Sequence, residues 1–164
     1  MREPVSIGYL LARTSDTLAD TAGVSVEERS EALQSYRNAV CDGAPLENDF
    51  FIFREALSHE GELALLKNAF PILEWHRSQN PANQKLVSEV LTTITEGQQW
   101  DLDAKEAPDA ETLLLYTYRV AGCVGEFWTK VGFENLGTKF AYANERNSML
   151  ESGKHLGQGL QLIN

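Results

Sequence analysis

Residues 110–131, AETLLLYTYRVAGCVGEFWTKV, repeat apolar side chains every three or four positions, and that spacing predicts an amphipathic helix. Asp109 stands where an N-cap would accept from the first free amides, so the helix is expected from Ala110 to about Val131. Two rows of this helix can face a core: Tyr116, Val120, Cys123 and Phe127, and Leu113, Thr117, Val124 and Val131. A third row, Tyr118, Gly122, Gly125 and Thr129, is nearly bare. A glycine in a helix interior costs about 1 kcal/mol relative to alanine, so the two glycines ask for a reason. Close approach of a second helix is one; room for a ligand against the backbone is the other. Tyr118 bears on that choice, because a phenol offers a cavity both a donor and a π-face.

The same spacing recurs outward in both directions, with no sustained period-2 alternation, so the chain reads as all-α and residues 1–164 as a single domain. A first helix is expected from Ser6 to Asp20, stopped by Thr21-Ala22-Gly23. Ser25-Val26-Glu27-Glu28 fits a capping box and opens a second helix to about Cys41. Asp42 to Pro45 is a turn. The stretch from Asn48 to Gln79 is helical in pattern, divided near Gly61 and bent at Pro71. Asn80-Pro81 starts another helix, Ala82 to about Gln98, followed by an acidic loop from Asp101 to Asp109. Segments Asn135 to Ser152 and Lys154 to Asn164 complete the chain.

With 14 Lys+Arg against 24 Asp+Glu, the formal charge is −10. No cationic cluster exists to hold a phosphate backbone, which excludes a nucleic-acid partner. A phosphate-bearing ligand would need a metal ion or a few placed arginines. Cys41 and Cys123 lie far apart with no C-x-x-C partner, so neither a disulfide framework nor a zinc site is expected, and a reducing compartment is. The N-terminus lacks an apolar signal core, and no stretch of about 18 uncharged apolar residues exists. His59, His76 and His155 are scattered and read as surface residues.

The first helix carries the chemistry. Asp16 and Asp20 are four residues apart and share a face, about one turn apart along the axis. Two carboxylates so placed repel, and a shared Mg²⁺, which prefers oxygen ligands and substrate phosphates, would relieve them. Arg13 and Tyr9 extend the same stripe. A solvated acidic face with an intrahelical Arg13–Asp16 pair would present the same spacing. At the C-terminal end, Gln161 and Asn164 share a face beside the apolar Leu160 and Ile163.

Taken in order, three segments resemble the squalene and phytoene synthases, the head-to-head isoprenoid synthases. Tyr9 to Asp20 is similar to their first aspartate-rich motif, Tyr116 to Gly125 to their Y-x-x-x-VAG-x-VG segment, and Gly159 to Asn164 to the start of their second motif. The wording DTLAD and YRVAGCVGEFWT resembles bacterial squalene-synthase-like members more than plant phytoene synthases. The resemblance implies an all-α isoprenoid-synthase bundle around a central cavity. In it two allylic diphosphates, farnesyl or geranylgeranyl, are joined head-to-head with loss of diphosphate.

By the same resemblance, Asp16 and Asp20 hold Mg²⁺, and Arg13 and Tyr9 bind and orient the diphosphate. Tyr118 sits near the reacting carbons, with Gly122, Gln161 and Asn164 lining the cavity. NADPH enters if the product is squalene. A cytoplasmic protein touching a membrane peripherally is implied by the lipophilic product. Three departures stand against full activity. The continuation I-L-R-D expected after Asn164, with its second Mg²⁺ site, is absent, as is the helix expected before Tyr9, and Arg119 replaces a tyrosine of some relatives. The expectation is therefore an incomplete bundle, truncated at both ends, of little activity by itself. The alternative is a non-catalytic helical protein or subunit that associates through exposed apolar faces.

Overall fold

A computed structural model describes residues 1–46, 50–103 and 109–163. Its elements are helices α1 (Arg2–Asp20), α2 (Val26–Cys41), α3 (Phe51–Ala56), α4 (Glu60–Lys67), α5 (Ala69–Arg77), α6 (Pro81–Asp103) and α7 (Ala110–Thr117), then a π-helical turn (Tyr118–Gly122), α8 (Cys123–Leu136), two 3₁₀ turns (Gly137–Lys139 and Ala143–Glu145) and α9 (Arg146–Ile163). No strand occurs among the described residues, and the all-α class holds.

Helix α1 is central, packing against α2, α4, α5, α6 and α8. Ile7, Leu11 and Leu18 lie on its buried side, yet Thr14, Ser15 and Thr17 are buried as well. Those hydroxyls fold back onto the carbonyls of their own helix: Thr14 onto Leu10 at 2.9 Å, Ser15 onto Ala12 at 2.8 Å and Thr17 onto Arg13 at 3.0 Å. With their donors satisfied locally, polar residues enter the core at little cost. The polar half of α1 can therefore be carried inward, Asp16 with it. Tyr36 of α2 is fully buried and donates its hydroxyl to the Leu11 carbonyl at 3.3 Å.

The capping box at Ser25 is formed, with the Glu28 amide donating to Ser25 Oγ and the Ser25 amide to Glu28 Oε2, each at 3.2 Å. Other boundaries move for identifiable reasons. Helix α1 starts at Arg2 rather than Ser6, because Pro4 falls in the first turn, where a missing N–H costs nothing. Pro71 likewise sits in the first turn of α5, so the break is at Asn68 rather than at the proline. Gly61 lies inside α4, whose first turn is capped by the His59 ring accepting from the Glu62 amide. His76 is buried rather than on the surface. Asn48 lies outside the described residues, as do 104–108 of the expected acidic loop.

The long helix begins at Ala110, with Asp109 Oδ1 accepting from the Thr112 amide at 2.8 Å. It continues past Val131 to Leu136 but is interrupted by the π turn at Tyr118–Gly122. Downstream, a single helix, α9, replaces the two segments expected from Asn135 onward. Gly153 does not break α9, because it packs face to face with Gly125: a Cβ at Gly125 would overlap the Gly153 carbonyl, and one at Gly157 the Ala121 carbonyl. Of the two explanations for the bare glycine face, close approach of a second helix is the one realised.

Candidate functional site

Three neighbouring cavities share walls built by α1, α6, the π turn, α8 and α9. The polar one, about 420 Å³, is bordered by Asp16, Asp20, Arg29, Gln98, Asp101, Tyr116 and Gln161, among others. A second, about 390 Å³, reaches from Asp16 and Arg13 past Tyr9 to Val124 and Trp128. The third is an apolar trough of about 920 Å³ between α8 and α9, running from Val120 and Gln161 to Leu156, Leu160 and Ile163. Asp16 joins the first to the second, Gln161 the first to the third, and Val120 borders all three. An acidic cavity thus lies beside an apolar trough.

Burial pushes the Asp16 carboxyl above the usual carboxylate range, Asp20 beside it pushes the same way, and a hydrogen bond from Gln98 opposes them. Asp20 is raised by burial and then by Asp101, with Arg13 and Arg29 acting against them. The Tyr116 hydroxyl is raised by burial and then by Asp101, Asp20 and Asp16. Its ring tilts against Trp100 with centroids 5.4 Å apart. In each case burial is the main cause, and the neighbouring carboxylates add a smaller push in the same direction.

Arg13 Nη2 donates to Glu62 Oε1 at 2.8 Å and its Nη1 lies 4.0 Å from Asp16 Oδ2. Arg29 Nη1 donates to the Ala19 carbonyl at 2.7 Å, closing α2 over the C-terminal end of α1.

Among the described residues, no group of three or more His, Cys, Asp or Glu side chains could enclose a metal by itself. That fits Mg²⁺, which takes one or two protein carboxylates and fills its shell with water and substrate phosphate. The buried acceptor Gln98 Oε1, which has no hydrogen-bond partner, is a further oxygen in the wall.

Of the residues singled out by the sequence, Asp16, Asp20 and Gln161 meet around the polar cavity, and Tyr9 and Arg13 line its neighbour. Gly122 lies against Gln158 and Tyr118, part of the α8–α9 contact. Tyr118 turns away from the carboxylates: its hydroxyl is 3.4 Å from Glu126 Oε2, beside a small separate recess with Lys130. Asn164 lies outside the described residues.

Tyr116, read as a core position, is the phenol that faces the acidic cavity. Asp101 and Gln98 were missed, although a signal existed. The buried row Val87, Leu91, Ile94 continues at helical spacing into Gln98 and Asp101 once α6 is carried to Asp103.

An acidic cavity beside an apolar trough inside an all-α bundle is the architecture of the isoprenoid-synthase class. The chain belongs to the squalene/phytoene synthase family, whose model matches residues 1–164. It is 31% identical over 169 residues to a presqualene diphosphate synthase of Zymomonas mobilis subsp. mobilis, covering 99% of this chain and 45% of that protein. It is also 28% identical over 137 residues to a bifunctional lycopene cyclase/phytoene synthase of Blakeslea trispora, covering 80% of this chain and 21% of that protein. The chain thus spans less than half the length of either relative. Among the described residues no helix is long and apolar enough to cross a membrane.

Proposed function

We propose that the chain binds an allylic prenyl diphosphate through Mg²⁺ at Asp16 and Asp20, and that it serves the head-to-head joining of two such molecules with loss of diphosphate. The observation that carries this reading is that the acidic cavity and the apolar trough lie against the same two residues, Val120 and Gln161. An anionic head and a long hydrocarbon tail ask for that pairing of surfaces. When bound, Mg²⁺ supplies charge that stabilises the departing diphosphate.

The protein's own residues do the rest. Asp16 and Asp20 hold the cation, Arg13 and Tyr9 orient the diphosphate on the side away from Asp101, and Arg29 keeps the floor of the acidic cavity closed. Tyr116, which borders the acidic cavity, presents its phenol to the head group in the role that the resemblance implied for Tyr118. Val124, Trp128 and Leu160 give the hydrocarbon chain an apolar surface to lie against. Farnesyl and geranylgeranyl chains are both candidates, and NADPH belongs to this scheme only if squalene is the product.

The test is Mg²⁺-dependent binding of a farnesyl thiodiphosphate, followed by calorimetry. Binding is expected in the native chain and a loss of at least ten-fold in Asp20→Asn, the size expected for one charge-assisted contact (about 1.5–3 kcal/mol). Equal binding by both proteins would refute the reading. A second reading, a non-catalytic helical subunit, is favoured by one observation: Leu156, Leu160 and Ile163 of α9 are 65%, 56% and 82% exposed. A mass above that of one chain by light scattering, without thiodiphosphate binding, would select it.

A further inference from the structure

Gln98 is 8% exposed and borders the acidic cavity. It comes from the C-terminal part of α6, distant in sequence from the carboxylate it serves, and its Nε2 donates to Asp16 Oδ1. The other Asp16 oxygen faces Arg13 at 4.0 Å. Asp16 is therefore held from two sides, by a neutral donor on α6 and by a cation on its own helix. Arg13 is itself drawn off by Glu62 at 2.8 Å, which leaves Gln98 the firmer partner.

The second amide atom, Gln98 Oε1, is buried with no hydrogen-bond partner. Buried acceptors are almost always paired. A glutamine whose nitrogen grips a metal-ligand candidate while its oxygen stays free is badly placed for stability alone. It is well placed to hold the Asp16 carboxylate in one orientation.

We propose that Gln98 is a positioning residue of the cation site: its N–H fixes one Asp16 oxygen against the pull of Arg13 on the other, at the cost of an unpaired Oε1. The inference rests on the reading of Asp16 and Asp20 as cation ligands. Gln98→Met keeps volume and helix propensity but removes both amide functions. Gln98→Glu keeps the oxygen and removes the donor.

Calorimetric titration of Mg²⁺ in the presence of inorganic pyrophosphate, with Tm measured with and without the metal, separates the possibilities. Gln98→Met is expected to bind Mg²⁺ about ten-fold more weakly, with its metal-free Tm equal to or above that of the native protein. Gln98→Glu is expected to lose Tm without metal, from carboxylate repulsion, and to gain at least the native increment when Mg²⁺ is added.

A residue that only supports the fold would move the metal-free Tm of both variants and leave Mg²⁺ affinity within two-fold. That result would overturn the positioning role. Native protein that binds Mg²⁺ and pyrophosphate and loses them in Asp20→Asn, while both Gln98 variants bind normally, would overturn this inference alone. Native protein that binds neither would overturn the cation site together with it.

Discussion

The role proposed for Asp16 works against the stability of the fold. The Asp16 carboxyl is raised by burial and by Asp20. The folded state therefore holds the proton more tightly than the unfolded chain, and this contribution is full below the unfolded value, near 3.8, and lost as pH rises through the raised folded one. At neutral pH without a cation, Asp16→Asn should raise Tm and at the same time remove the Tm increment that Mg²⁺ with pyrophosphate gives the native protein. A thermal melt in both conditions checks it.

His76 has the opposite sign. Burial lowers its pKa below 6.5, and a base depressed by folding contributes stability above the unfolded value that is lost as pH falls toward the folded one. On a drop from pH 7 toward 5, Tm should change less favourably in the native protein than in His76→Gln, a difference that paired thermal melts check. Neither residue's behaviour was legible beforehand in full. The D-x-x-x-D spacing showed that Asp16 and Asp20 repel, but the partial burial of Asp16 depends on Thr14, Ser15 and Thr17 satisfying their own hydroxyls. His76 has no sequence neighbour that announces its burial.

Among the elements, α8 and α9 make the sharpest contrast between glycines that look alike in sequence. At Gly125 a Cβ would overlap the Gly153 carbonyl, backbone that cannot yield, whereas at Gly159 nothing lies within 4 Å. Gly125→Ala should therefore cost about 3 kcal/mol, a fall in Tm of several degrees or more for a domain of this size. Gly159→Ala should stabilise by up to about 1 kcal/mol through helix propensity. Chemical denaturation of the pair checks both signs.

The long helix at Ala110 was readable from its apolar rows and its Asp109 cap, and α2 from its capping box, because both signals are local. The π turn was not readable. It adds a residue to one turn, and the rows upstream of it rotate relative to those downstream, which is why Tyr116 rather than Tyr118 faces the aspartates. A bulge set by packing on α6 and α9 leaves no mark in the spacing of either half. The single helix α9 escaped for a related reason: Gly153 reads as a break in isolation and becomes a contact only once Gly125 is opposite.

For the molecule as a whole, the charge of −10 and the apolar trough belong to one arrangement, because the acidic and apolar cavities meet at Val120 and Gln161. The sequence held both halves, the aspartates near one end and Gln161 near the other. It could not show that Gln161 borders the same cavity as Asp16 and Asp20, since the course of α9 is set by its glycine contacts with α8 and the π turn. If head and tail of one ligand bind on either side of this junction, the two halves of its affinity should separate by mutation. Leu156 borders the trough but neither of the other two cavities. Leu156→Asn puts a polar amide in the apolar path and lies away from the cavities that Asp16, Asp20 and Gln98 border. Farnesyl thiodiphosphate should then bind at least about ten-fold more weakly, a loss of about 1.4 kcal/mol, while inorganic pyrophosphate with Mg²⁺ binds as in the native chain. Equal losses for both ligands would mean that the trough does not hold the hydrocarbon chain and that the substitution acts through the fold.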